Sequence, residues 1–379
     1  MYKYLKTNRY FAAVLDNLEQ VAAEELDELG AAEINTKYRG VSFTASKETL
    51  YKIVYCSKIP TRILAPIITF DCHSTKYLYK TAKSIKWDDF LPLNKTFAIF
   101  SSVSNSLITH SQYASLCLKD AIADYFRDKY GERPNVKPKT PDVWFNLYIN
   151  DNKATISLEL TGGSLHRRGY RKNSLEAPIM ENLAAGIIRI SKWNGETNLY
   201  DPFCGSGTIL AEALLKVCDI PSCYNRENLG IFYMPDFNRN TFDYVRKCSL
   251  ESIKPLPNNL ISGSDIDKRA IQIAKENLKL IPHGDKVKLA VTDFSKIKSI
   301  ENSTIITNPP YGKRLGEKNE VSRLITSFGD FLKNNCKGSK AFVYFGNREL
   351  IKKVGLKTSM KMPLKNGGLD GRLTCYEIY

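Results

Sequence analysis

The tetrad Asn308-Pro309-Pro310-Tyr311 follows directly on the apolar run Ile305-Ile306-Thr307. Two successive prolines fix the backbone and forfeit their N–H donors, so the turn offers acceptors rather than donors. Asn308 Oδ1 and the Pro309 carbonyl can both accept hydrogens from one amino group, and Tyr311 offers a ring face for stacking a planar base. This suits chemistry on an amine attached to a flat ring. A plain Pro-Pro turn is the competing reading of the same four residues.

Three further loops could complete such a site. In the first, a strand ending at Asp201 runs through Pro202, Phe203, Cys204, Gly205, Ser206 and Gly207 into a helix opening at Thr208. A glycine-rich turn of this kind lets a ligand approach the backbone, although a purely structural turn has the same composition. The Gly-Lys-Ser/Thr ending of a phosphate loop is absent, which disfavours nucleoside triphosphate chemistry. In the second loop, Gly263-Ser264-Asp265-Ile266-Asp267 closes another strand. Asp265 is placed to accept both hydroxyls of a ribose, and Asp267 to cap the helix that begins at Lys268; either could be a cap alone. In the third, Thr292-Asp293-Phe294, the aspartate can meet an adenine amino group or merely hold a turn.

The elements that must position these loops alternate between strand and helix, which implies a mostly parallel sheet. Strands are expected at 198–201, 260–264, 287–290, 304–307 and 340–345, and two more near 356–362 and 372–379 flank the hairpin-like turn Asn366-Gly367-Gly368. A long insertion, 218–259, separates the first two strands, and its role is not derivable from residue types. Two α+β segments precede this region. The first carries a strand at 9–15, a helix at 18–29, short strands at 32–36 and 41–44, and a helix at 47–55; the second repeats the theme over 62–160. The stretch His166-Arg167-Arg168-Gly169-Tyr170-Arg171-Lys172 joins them to the alternating region. It suits a phosphate-binding segment with one stacking ring, or a merely solvated basic linker.

Composition narrows the partner. The 379 residues carry a net charge of +15, of which +3 lies in residues 1–160 and +12 in residues 161–379. A strongly basic chain is drawn to polyanions such as nucleic acid. At 43% hydrophobic and 25% charged, the sequence suits a folded cytoplasmic protein, without a signal peptide and with apolar runs far short of the roughly 18 residues of a membrane span. Nine cysteines without a CxxC pair and four unclustered histidines predict reduced thiols and no metal site.

Taken in order, the motifs resemble class I methyltransferases that act on amino groups of bases. With Leu165 to Arg171 and Ala177 to Ala185, the chain is similar to the bacterial branch that methylates guanine N2 in 23S ribosomal RNA. The resemblance implies an α/β fold: a Rossmann-like methyltransferase domain, with a mostly parallel seven-stranded sheet and an antiparallel C-terminal strand, preceded by α+β ferredoxin-like and THUMP domains. It implies a ferredoxin-like segment at 1–55, a THUMP RNA-binding domain at 56–160 and the methyltransferase domain at 161–379, with a basic linker at 161–175. The implied cofactor is S-adenosylmethionine. Asp201 with Pro202 to Thr208 would hold its methionine part, Asp265 its ribose, and Asp293 with Phe294 its adenine; Ile266 and Asp267 would belong to the cofactor site too, and Glu181 and Asn182 would lie near the donor. Asn308, Pro309, Pro310 and Tyr311 would carry catalysis; His166, Arg167, Arg168, Tyr170, Arg171 and Lys172 would touch RNA. Some relatives carry a second, fused methyltransferase domain, so a single modification is expected of these residues. Transfer RNA as the substrate, adenine N6 as the acceptor in nucleic acid, and a non-catalytic RNA-binding role are the alternatives.

Overall fold

Helix and strand nuclei form where short-range signals agree. Ser46, for example, accepts from the Thr49 N–H (3.1 Å) and starts a helix whose Leu50, Ile53 and Val54 share one buried stripe. In chain order the elements are α1 (Lys3–Thr7), β1 (Arg9–Ala13), α2 (Glu19–Glu28), β2 (Ala32–Lys37), β3 (Gly40–Thr44), α3 (Lys47–Cys56), β4 (Arg62–Asp71), α4 (Thr75–Lys83), β5 (Phe97–Ser104), α5 (Ser111–Tyr130), β6 (Val143–Asn150) and β7 (Lys153–Glu159). They continue as α6 (Glu181–Ile190), β8 (Leu199–Asp201), α7 (Thr208–Val217), α8 (Arg239–Glu251), β9 (Ile261–Asp265), α9 (Lys268–Leu278), β10 (Lys288–Val291), β11 (Thr304–Thr307), α10 (Glu317–Asn335), β12 (Lys340–Phe345), β13 (Met360–Asn366) and β14 (Leu369–Glu377). The structure, a computed structural model, describes residues 1–173, 178–311 and 317–379.

The chain divides into two compact units. One holds Met1–Val14, Ala23–Leu165 and Arg226–Lys247; the other holds Leu15–Ala22, His166–Asn225 and Cys248–Tyr379. In the first unit all strands join one sheet in the order β2-β3-β1-β4-β7-β6-β5, so the two α+β segments share a continuous hydrogen-bonded ladder. Only β5 and β6 pair in parallel, joined through the long crossover helix α5. The inserted residues 226–247 supply an aromatic plug. Phe242 meets Tyr51, Tyr55, Phe232 and Phe237 with ring centroids 5.2–6.2 Å apart. The Asn238 N–H donates to the Tyr51 hydroxyl (2.8 Å).

The second unit carries the alternating elements, with sheet order β10-β9-β8-β11-β12-β14-β13. The first five strands are parallel, and β14 runs against both β12 and β13, so a single strand is reversed. Phe328, Phe331 and Leu332 of α10 pack on Ile305, Val343 and Phe345 of the sheet. The β13 strand begins four residues later than the pattern suggested. Arg348–Val354 forms a 3₁₀ helix capped by Gly355 in the left-handed region (φ 71°), and residues 356–359 follow as irregular chain before the strand begins at Met360. No helix among the described residues is long and apolar enough to cross a membrane.

Phe242 is 3% exposed, and truncating a buried phenylalanine costs about 3–5 kcal/mol. Phe242→Ala should lower the unfolding free energy measured in urea by that amount. A loss below about 1 kcal/mol would mean that the insert is a passive surface loop.

Candidate active site

The four loops found in the sequence leave the carboxyl ends of four neighbouring strands, β8, β9, β10 and β11, where open α/β sheets bind ligands. They line one cavity of about 420 Å³, within the range of roughly 300–1,000 Å³ usual for small-molecule sites. Its walls include Asp201 to Ser206 and Thr208 from the first loop, Asp265 and Ile266 from the second, Asp293 and Phe294 from the third, and Asn308 to Tyr311 from the fourth. Pro178 and Ile179, just ahead of α6, also line it.

Asp201 is 1% exposed and sets the register of this assembly. Its Oδ1 accepts from the Thr307 hydroxyl (2.6 Å) at the end of β11 and from the Phe203 N–H (3.1 Å) of the glycine loop. Burial pushes its carboxyl up to about 7, against the pull of those two hydrogen bonds. The loop then turns through Gly205 and Gly207, both at positive φ (52° and 81°), and Gly207 leads into α7. A methyl group built on Gly205 would meet nothing within 4 Å, so the backbone there is open to a ligand.

Asp265 braces the same loop. Its Oδ2 accepts from the Gly205 N–H (3.0 Å) and its Oδ1 from the Asp267 N–H (2.9 Å). A carboxylate offers about four lone-pair directions, so each oxygen can still accept from a ribose hydroxyl. Asp267 accepts from the Arg269 N–H (2.7 Å) and caps α9. Asp293 caps a short 3₁₀ turn by accepting from the Ser295 N–H (2.9 Å). Phe294 is 5% exposed and packs against Phe203, Phe328 and Phe331.

In the fourth loop Pro309 is buried, Pro310 exposed, and Asn308 and Tyr311 half-buried. The Tyr311 hydroxyl donates to Asn308 Oδ1 in a short hydrogen bond, and burial pushes the phenol up to about 12. Its ring lies on the backbone of Gly346, where an added methyl would fall 2.7 Å from it. Sequence reasoning missed Asn366, which also hydrogen-bonds Tyr311. Asn366 accepts from the Met180 N–H (3.1 Å) and donates to the Pro178 carbonyl (3.4 Å), tying the β13–β14 hairpin to the chain beside the cavity. Its only signal in the sequence was the Asn-Gly-Gly turn.

Glu181 and Asn182, at the start of α6, do not line the cavity, although Pro178 and Ile179 do. Both are buried, and burial pushes the Glu181 carboxyl up to about 7 despite its ion pair with Arg171 (3.1 Å). Ala177 lies outside the described residues.

The basic stretch 166–172 departs from the expectation that all its side chains meet RNA. Arg168 is 1% exposed and makes a two-pronged ion pair with Glu212 of α7, Nε to Oε1 and Nη2 to Oε2, both 3.1 Å. The Tyr170 hydroxyl, equally buried, donates to Glu212 Oε1 (2.9 Å). Arg171 donates to the Ile179 carbonyl (3.1 Å) besides pairing with Glu181. A buried carboxylate demands a cation, and Glu212 claims these groups for the interior, so Arg168 and Tyr170 do not face RNA. Arg167 and Lys172 are exposed and His166 is partly so.

Six strands running in one direction with one reversed strand next to the edge, and loops at the carboxyl ends lining a cavity, define a class I methyltransferase architecture. The RMKL-like methyltransferase domain family matches residues 168–375, the THUMP domain family residues 72–159 and the RlmL ferredoxin-like domain family residues 9–64. The chain belongs to the RMKL-like methyltransferase family. A Synechocystis protein provisionally named as an RNA methyltransferase is 36% identical, with 98% of this chain and 97% of that protein aligned. The ribosomal RNA large subunit methyltransferase K/L of Syntrophotalea carbinolica is 34% identical over 98% of this chain, which spans 53% of that relative. Among solved structures, a possible methylase from Clostridium difficile superposes with a TM-score of 0.85 at 29% identity, covering 98% of each chain. A provisionally named methyltransferase solved with SAH does so with a TM-score of 0.83 at 27% identity and the same coverage.

Two outcomes follow from these buried charges. Arg168→Ala leaves the Glu212 carboxylate without its cation and should cost about 3–5 kcal/mol in chemical denaturation. A fully stable variant with weakened RNA binding would restore the phosphate-contact reading. The folded Asp201 carboxyl titrates near 7, above the roughly 3.9 of an unfolded chain. The stability tied to its proton is therefore present below pH 4 and lost as pH rises through 7. Asp201→Asn keeps the Oδ1 acceptor and removes this titration, so its stability relative to wild type should rise between pH 5 and pH 8; a constant difference would contradict the assigned titration.

Proposed function

We propose that this chain transfers a methyl group to the exocyclic N2 amine of a guanosine in 23S ribosomal RNA. S-adenosylmethionine is the cofactor, and the enzyme is an RNA methyltransferase. The observation that carries the reading is the meeting of Asn308 and Pro309 with the Asp201–Thr208 loop in one cavity. The residues fit the cofactor. The open backbone at Gly205 and the start of α7 suit its methionine end, Asp265 has acceptor capacity left for its ribose, and Asp293 and Phe294 line the wall for its adenine.

When bound, the cofactor supplies an electrophilic methyl on a sulfonium. An exocyclic amine delocalises its lone pair into the ring and is a poor nucleophile. Asn308 Oδ1 and the Pro309 carbonyl, by accepting the two amino hydrogens, favour a pyramidal nitrogen whose lone pair points away from them. Alignment and acceptor placement of this kind contribute much of the rate; as the N–C bond forms, the S–C bond would break to leave a neutral thioether, and the methylated nitrogen would release its surplus proton to solvent. Asn308 Oδ1 has two lone pairs and already accepts from Tyr311, so it can receive the amine with the tyrosine bond kept. The Tyr311 ring, which lines the cavity, is the platform for an unstacked base. The choice of RNA draws on the THUMP match at 72–159, and 23S ribosomal RNA on the K/L relatives.

Asn308→Ala should bind S-adenosylmethionine with unchanged affinity in calorimetry and lose about 10²–10³-fold in the rate of methyl transfer to ribosomal RNA. Undiminished transfer by this variant would sink the proposed role of the tetrad.

A further inference from the structure

With Arg168, Tyr170 and Arg171 engaged in the interior, the +12 of residues 161–379 must be displayed elsewhere. The segment between Gly346 and Asn366 holds six Lys or Arg against one acidic residue, a net +5. Both its ends touch the same side chain: Gly346 underlies the Tyr311 ring, and Asn366 hydrogen-bonds the Tyr311 hydroxyl. The segment thus begins and ends at the residue proposed to stack the target base, and its lysines lie along the excursion between, with Lys361 at the amino end of β13.

Within it, Arg348–Val354 forms the 3₁₀ helix and β13 is the edge strand of the sheet. Lys352, Lys353, Lys357 and Lys361 are all exposed. Among the described residues none of the four is in an ion pair, whereas Lys365 pairs with Asp16 (3.2 Å) and Arg372 with Asp370 (2.6 Å). Lysines that only solvate a surface are commonly interleaved with acids, as on α9, where Lys275 neighbours Glu276. Here Glu349 is the one acid.

We propose that Lys352, Lys353, Lys357 and Lys361 form an RNA-backbone contact surface of the methyltransferase unit, gripping phosphates of the RNA that flanks the nucleotide held at Tyr311. The surface carries no aromatic platform, so it reads charge rather than sequence and sets affinity and position, not base choice. This rests on the proposed methyl transfer to RNA.

The test replaces the four lysines together by alanine and measures binding to a 23S ribosomal RNA transcript at several salt concentrations. A control replaces the exposed Lys275, Lys279, Lys286 and Lys288, near the opposite sheet edge at β10. Each phosphate contact contributes about 0.7–0.9 to the slope of log affinity against log salt. The four-lysine variant should therefore lose about 3 from the slope, with KM for RNA raised at least about tenfold and with S-adenosylmethionine affinity and kcat at saturating RNA unchanged. The control should keep its slope within about 1 of wild type. An unchanged slope, or an equal fall in both variants, overturns the proposal. If wild type binds RNA with the lysine-dependent slope but transfers no methyl group, the surface stands and the functional reading falls.

Discussion

One buried carboxyl group holds the site in register. Asp201 Oδ1 is shared by the Thr307 hydroxyl and the Phe203 N–H, joining the end of β11, which leads into the Asn308–Tyr311 tetrad, to the glycine loop after β8 on the other wall of the cavity. The two strands pair over only Leu199–Thr304 and Tyr200–Ile305, so the ladder stops short of both loops. The side-chain clamp extends the register past the last pair. A methyl transfer needs donor and acceptor aligned to a fraction of an ångström, and slip between these strands would open that gap directly. Asp265 repeats the device one strand away, holding the Gly205 N–H from the end of β9.

Around this clamp the polar groups have divided duties. Asp267 and Asp293 spend an oxygen on the caps of their own turns, and Phe294 spends most of its surface on the core under α10. The Tyr311 hydroxyl, Asn308 and Asn366 form a chain of amide and phenol groups that fixes the tetrad against the β13–β14 hairpin. Reversal of β14 is what brings Asn366 to that place, because the hairpin turn then lies at the same end of the sheet as the ligand loops. The reversed strand therefore has a use in the site, beyond closing the sheet.

Much of this was legible in the sequence because the signals are local. Apolar runs ending in Asp201, Asp265 and Asn308 specify strands that deliver polar residues to one sheet end, and Gly205 and Gly207 mark a turn that other residues adopt only with strain. The family likeness supplied what residue types alone did not, namely the cofactor and RNA. Illegible parts depended on partners far along the chain. Arg168 and Tyr170 looked like an RNA-facing run because nothing nearby reveals Glu212, more than forty residues on, as the buried acid that claims them. The 218–259 stretch had no periodicity to show that Phe237 and Phe242 seat on Tyr51, and Phe242 also on Tyr55, with Phe232 packed behind them. The start of β13 was misplaced because Leu356, which packs on the core under α10 from irregular chain, reads in the sequence like the first residue of the strand.

The central claim is that this geometry methylates guanosine N2 in 23S ribosomal RNA, and nucleoside mass spectrometry tests it most directly. Ribosomal and transfer RNA from a strain lacking the gene would be digested and compared with the parent. The account predicts loss of one N2-methylguanosine from 23S ribosomal RNA, restored by the wild-type gene and not by Asn308→Ala. An unchanged 23S profile, or a loss confined to transfer RNA or to N6-methyladenosine, would contradict it.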